Sequence, residues 1–221
     1  SPKIMECRKR RHNAFLSDYS LFMRFCIAEV IRHYSKNRSY DDIGFRFNGT
    51  SDWHILRMPI TLKQVDTDYL LKAFNVYIEP IRYGSIIEAL MHGLDVLLNQ
   101  SVGIKLKMYD YTKRPITSDD LKLAKKLNYH LSLSHGSKAD LFSIALELGL
   151  NYACSFKLGH NEPLPKTFTY KGITLEVLDG DKTDWRPSDP SDSTRIIGLK
   201  HKRTKNQDIK AVEKFCINTC A

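Results

Sequence analysis

Few side chains in this sequence stand at spacings that chemistry requires. Cys154, His160 and Glu162 place a thiol, an imidazole and a carboxylate in one short stretch, the three groups of a thiol hydrolase. Cys154 sits between apolar and aromatic neighbours, however, which marks a core strand position. His135-Gly136-Ser137 precedes an apolar helical run. As chemistry, it offers an imidazole and a hydroxyl; as structure, Gly136 supplies a bend and Ser137 caps the helix. Asp41, Asp42 and Asp52 lie near turns, where aspartates commonly bond their own backbone instead of a metal. The five cysteines are odd in number and scattered, as in a reducing compartment. Cys216 and Cys220 have no matching Cys or His pair that would make a zinc site. The expectation is therefore no catalytic residue, no metal site and no cofactor.

Cations are the more telling feature. The 221 residues carry 34 Lys and Arg against 25 Asp and Glu, a net charge of +9. One cluster is Lys3, Arg8, Lys9, Arg10 and Arg11; a second is Lys105, Lys107, Lys113 and Arg114; a third is Lys200, Lys202, Arg203 and Lys205. Clustered cations suit a phosphate backbone, and Tyr109, Tyr111 and Tyr170 add rings suited to base or sugar packing. The residues expected to contact RNA are Arg10, Arg11, Lys105, Lys107, Lys113, Arg114, Lys200, Lys202 and Arg203. No apolar run reaches membrane-spanning length, and the first residues lack the apolar core of a secretory signal. An intracellular protein, cytoplasmic or nuclear and without a membrane partner, is expected.

The elements that must position these groups follow from periodicity. Ser17-Asp18 offers a cap for a helix with the stripe Leu21, Phe22, Phe25, Cys26, Val30, Ile31 and Tyr34. Ile43, Phe45 and Phe47 alternate as a strand that ends at the Asn48-Gly49 turn, and 53–65 reads as extended. Asp66-Thr67-Asp68 caps a short helix, and Ser85 opens an amphipathic one. Ile104, Leu106 and Met108 alternate with lysines as an edge strand. A strand over 127–133, a helix over 140–148 stopped by Gly149, and a strand over 152–156 follow. Strand-rich 168–178, an acidic mobile loop over 179–193, a strand over 195–199 and a final helix over 207–216 complete the chain. The expected class is α+β, with mixed, largely antiparallel small sheets and packed helices in two lobes. These lobes are 1–110 and 111–221.

Three resemblances bear on function. His135-Gly136-Ser137, with Tyr170 and Glu176 downstream, resembles the motif by which ADP-ribosyltransferases hold the nicotinamide ribose, and implies a stand-alone enzyme around His135. Ser17-Asp18-Tyr19-Ser20-Leu21-Phe22 resembles the active-site helix of OTU-type deubiquitinases, with Ser20 in the nucleophile's place, and implies an inactive relative. The order of elements over nearly the whole chain is similar to the N-terminal lobe of Argonaute proteins: the N domain, the first linker and the start of PAZ. Ile27-Ala28-Glu29-Val30-Ile31-Arg32-His33-Tyr34 resembles that family's N-domain helix, Tyr40-Asp41-Asp42-Ile43 falls at its target-strand turn, and Ala89-Leu90-Met91-His92-Gly93-Leu94-Asp95-Val96 resembles its alanine-leucine-aspartate-valine helix. Leu127-Asn128-Tyr129-His130 resembles the strand that opens its linker, and Tyr170–Leu175 with Arg195–Leu199 its paired strands toward PAZ. This resemblance implies a non-catalytic lobe of a small-RNA-guided silencing protein. A parent protein could carry the nuclease domain, and the partners would be small RNA or an RNA duplex and proteins of the silencing machinery. The alternatives are the ADP-ribosyltransferase-like enzyme and a pure protein-docking module.

Overall fold

A computed structural model describes residues 2–37, 42–48, 52–98, 105–159, 161–201 and 216–217. The helices are α1 (Pro2–Ser17), α2 (Tyr19–Lys36), α3 (Gln64–Phe74), α4 (Ile86–Leu98), α5 (Ser118–Lys126) and α6 (Leu141–Leu148). The strands are β1 (Asp42–Arg46), β2 (Ile60–Thr61), β3 (Arg82–Tyr83), β4 (Lys105–Thr112), β5 (Tyr129–Ser134) and β6 (Tyr152–Phe156). They continue with β7 (Thr167–Tyr170), β8 (Ile173–Asp179), β9 (Ile196–Lys200) and β10 (Cys216–Ile217).

Several boundaries follow local chemistry. Asp18 caps α2 by accepting from the Leu21 N–H at 2.9 Å. The Ser85 Oγ accepts from Glu88 N–H at the start of α4. Asp140 accepts from Ser143 N–H to cap α6, so Ser137 is not the cap; Gly149 closes that helix at φ +67°. Lys171 and Gly172, both at positive φ, turn the β7–β8 hairpin.

The sheet corrects the expected class. Its order is β1-β4-β5-β6-β9-β8-β7, with β10 also on β6. β5–β6, β6–β9, β8–β9 and β6–β10 are parallel, whereas the β7–β8 hairpin and the separate β2–β3 ladder are antiparallel. This is an α/β fold with a mainly parallel sheet, not an α+β assembly of small antiparallel sheets. The reason is connectivity. Strands joined by a tight turn pair antiparallel, whereas β5 and β6 are joined through α6, and a helical crossover brings the next strand in parallel. The near-continuous apolar run Tyr152-Ala153-Cys154-Ser155-Phe156 is what a strand covered on both faces looks like. β4 is likewise an inner strand between β1 and β5, not the expected edge.

Other expectations shift. The basic head is helical as α1, residues 55–57 form a 3₁₀ turn, and α3 begins at Gln64. On α2 the buried residues are Met23, Ile27, Val30, Ile31 and Tyr34, while Leu21 and Phe25 face out. Cys216 lies in β10; 207–215, the rest of the expected final helix, lie outside the described residues, as does Gly49 of the expected turn.

The chain divides into two compact units, Ser1–Met108 with Leu123–Tyr129, and Tyr109–Lys122 with His130–Ala221. In the first, α2 packs against α3, α4 and β2, over a core that includes Ile27, Ile31, Tyr34, Ile60, Leu70, Ile78, Ile87 and Leu90. In the second, Leu133, Phe142, Ala145, Tyr152, Phe156, Phe168 and Ile196 form the core. There Gly198 lies in β9 between β6 and β8. A Cβ on it would meet Val177 Cγ1 at 2.7 Å and Leu164 and Phe156 at 3.2 Å. Gly198→Ala is expected to lower the unfolding free energy by about 1–3 kcal/mol through overpacking, read as a lower urea midpoint at unchanged slope.

Candidate nucleic-acid interface

The first unit contains a cleft of about 510 Å³ built on α1. Met5, Arg8, Lys9 and His12 recur at i, i+3, i+4 and i+7, so they share one helical face and line it together. Arg11 and Arg46 also line it, and among the described residues no acidic side chain does. Phe22 and Cys26 enter one turn apart on α2, and Phe47 and Trp53 complete the wall.

The aromatic part is fixed. Phe15, buried on α1, stacks on Trp53 with centroids 3.2 Å apart and planes 15° from parallel. Phe22 meets Phe15 and Trp53 edge-on, at 5.7 Å and 6.4 Å. The buried Asn48 side chain holds the Trp53 backbone, accepting from its N–H at 3.1 Å and donating to its carbonyl at 2.9 Å. Cys26 is no nucleophile here: burial first, then the nearby Glu29 charge, pushes its thiol up to about 11. Exposed cations thus stand on a floor of half-buried rings, a combination that attracts phosphates and can pack a base.

The expected contact residues are dispersed. Arg11 lines the cleft; Arg10 is exposed on the same helix without lining it. Lys107 is half-buried on β4, and Lys105 enters that strand only as backbone among the described features. In the second unit Arg114 is exposed just after β4, and Lys113 is close enough to His135 to lower its pKa. Lys200 ends β9 in a cavity of about 410 Å³ that it shares with Asp181 and Asp184, carboxylates that oppose a phosphate there. Lys202 and Arg203 lie outside the described residues. Sequence reasoning missed Arg8, Lys9 and Arg46 as contact candidates, and Trp53 altogether. The spacing Met5-Arg8-Lys9-His12-Phe15 was the available signal for α1.

The catalytic candidates take structural places. Cys154 is buried, and burial pushes its thiol up to about 12. His160 and Asp41 lie outside the described residues, and Glu162 accepts from Gly159 N–H at 2.9 Å. His135 is half-buried, with Nδ1 2.9 Å from the Tyr152 hydroxyl. Its pKa is lowered, first by burial and then by the Lys113 charge, so the neutral imidazole is favoured. The Tyr170 ring stands edge-on to His135 at 6.5 Å, but the Glu176 carboxylate is engaged by Arg195 at 2.9 Å. Tyr109 is buried and Tyr111 half-buried. Among the described residues, no three His, Cys, Asp or Glu side chains group as metal ligands, and no helix is long and apolar enough to cross a membrane.

A second surface of the first unit is apolar. Leu21, Phe25, Val65 and Tyr69 border a groove of about 280 Å³ between α2 and α3, with Phe25 64% and Val65 65% exposed. Arg24 and Asp66, an ion pair at 3.0 Å, also line it.

Comparison with protein-family models, curated proteins and solved structures finds no match to this chain.

Proposed function

We propose that this chain binds RNA through the α1 cleft, as a non-catalytic lobe of a small-RNA-guided silencing protein. The observation that carries the binding reading is one cleft lined by Arg8, Lys9, Arg11 and Arg46 together with Phe22, Phe47 and Trp53, with no acidic side chain among its described lining residues. Phosphates supply most of the affinity of such sites, and rings add contacts that do not depend on sequence. The silencing context rests on the order of sequence segments shared with Argonaute N-terminal lobes. Protein partners of the silencing machinery are part of the same proposal, and the apolar groove between α2 and α3 supports them, since clustered exposed apolar side chains commonly mark docking sites.

A titration with labelled RNA across salt concentrations tests it. Counterion release makes log K fall linearly with log salt, by about 0.7 per phosphate neutralised on a single strand. Three to four engaged cations therefore predict a slope of roughly −2 to −3. RNA affinity that is absent, or indifferent to salt, would refute the reading.

A further inference from the structure

Resting on the reading that the α1 cleft binds nucleic acid, we infer that its substrate is single-stranded, with an unstacked base entering among the cleft's rings while the α1 cations hold the flanking phosphates. The cleft combines two kinds of group that a duplex cannot use together. A duplex offers its phosphates and groove edges but hides both faces of every base within the stack. For a duplex, the exposed Arg8, Lys9 and Arg11 would suffice, and Trp53, Phe22 and Phe47 behind them would contact nothing. A single strand presents the π-face of each base, which aromatic side chains bind irrespective of sequence.

The dimensions and rigidity fit. At about 510 Å³ the cleft falls within the roughly 300–1,000 Å³ of pockets that enclose a small ligand, enough for one nucleotide. Its rings are already in place. Trp53 is pinned by stacking on Phe15 and by two hydrogen bonds between its backbone and the Asn48 side chain, so little ordering remains to be done on binding. Among the described residues, the cleft offers rings and cations, groups that bind the π-faces and phosphates common to every nucleotide, so the class recognised is a single-stranded nucleic acid.

Fluorescence gives a direct test, because Trp53 and Trp185 are the two tryptophans of the sequence. Trp185 belongs to the second unit, against Tyr109, so Trp185→Phe leaves Trp53 as sole reporter without touching the cleft. The probes are an oligouridylate of about eight nucleotides, within the footprint of one single-strand-binding fold, and its duplex with oligoadenylate. The single strand is expected to bind about tenfold more tightly than the duplex and to quench Trp53, while the duplex leaves Trp53 bright. Trp53→Ala should lower single-strand affinity about tenfold and duplex affinity less than about twofold. Because that change also removes the stack on Phe15, Phe47→Ala is the second variant, expected to act in the same direction. Equal affinity for strand and duplex, with both variants weakening both alike or neither, would overturn the inference while leaving the binding reading in place. Failure of the unsubstituted protein to bind either RNA would overturn both.

Discussion

Exchanging Arg8, Lys9 and Arg11 together for glutamate is expected to lower RNA affinity at least about a hundredfold. A hydrogen bond to a charged group contributes roughly 1.5–3 kcal/mol when formed. Solvent screening of these exposed cations reduces that to about 1 kcal/mol each. Three such losses, about 3 kcal/mol, amount to roughly two orders of magnitude, and the added negative charges repel phosphate beyond that. The salt slope should fall by about 2, because each lost phosphate contact removes about 0.7 from it. All three residues are exposed, and glutamate is a good helix former, so α1 should persist in the circular dichroism spectrum. The same exchange at Lys113 and Arg114 is expected to cost no more than about threefold. Lys113 lies near His135, and neither cation lines the ring-bearing cleft that would keep a strand in contact. Unchanged affinity in the triple variant would remove α1 from the interface.

The second large effect concerns stability. The acidic segment 179–193 has no helix or strand beyond Asp179, yet its Arg186 is 5% exposed. The Arg186 guanidinium lies 3.2 Å from Asp189 and donates to the Thr183 carbonyl. Nearby, the Asn151 side chain donates to the Pro190 carbonyl at 3.1 Å. Burial raises the Asp189 pKa, and the Arg186 charge only partly offsets it. Arg186→Leu would leave that carboxylate without its counter-charge. The expected loss is about 2 kcal/mol, below the 3–5 kcal/mol of a fully enclosed pair because Asp189 keeps some access to solvent.

Two further measurements identify the cause. Adding Asp189→Asn to Arg186→Leu should restore most of the loss, since no charge then remains to be paired. The pH dependence has a definite sign. A carboxylate whose folded pKa is raised adds stability that is present below its unfolded pKa and is lost as pH rises through the folded value. Without Arg186 the Asp189 pKa rises further, so the deficit of the single variant should be larger at neutral pH and should shrink on acidification. A deficit independent of pH and unrepaired by Asp189→Asn would mean that Arg186 acts by packing alone.

The sequence by itself determined what depends on neighbours along the chain. Asp18, Ser85 and Asp140 were legible as helix starts, and Gly149 as a stop. In each case a short side chain bonds an N–H within a few residues, or a positive φ favours glycine. The strand runs around 43–47, 152–156, 168–178 and 195–199 were legible from alternation or from continuous apolar character. The charge clusters were legible because charge needs no fold.

Tertiary structure decided the rest. A strand's backbone hydrogen-bonding groups are the same whatever its partner, so β6 carries no local mark that β5, β9 and β10 will lie beside it and parallel. The strand–helix–strand order around α6 and the near-continuous apolar run of β6 were the local hints, and neither names a partner strand. The cleft was equally hidden. Arg8 and Lys9 come from α1, Phe22 from α2, Arg46 from the end of β1 and Trp53 from the segment after it. Nothing in their spacing announces that they meet. Lys200, by contrast, stood in a basic run of the sequence, and the fold set it beside Asp181 and Asp184. Sequence fixes how many charges the chain carries, but a charge acts on whatever lies within a few ångströms of it, and those neighbours come from distant parts of the chain.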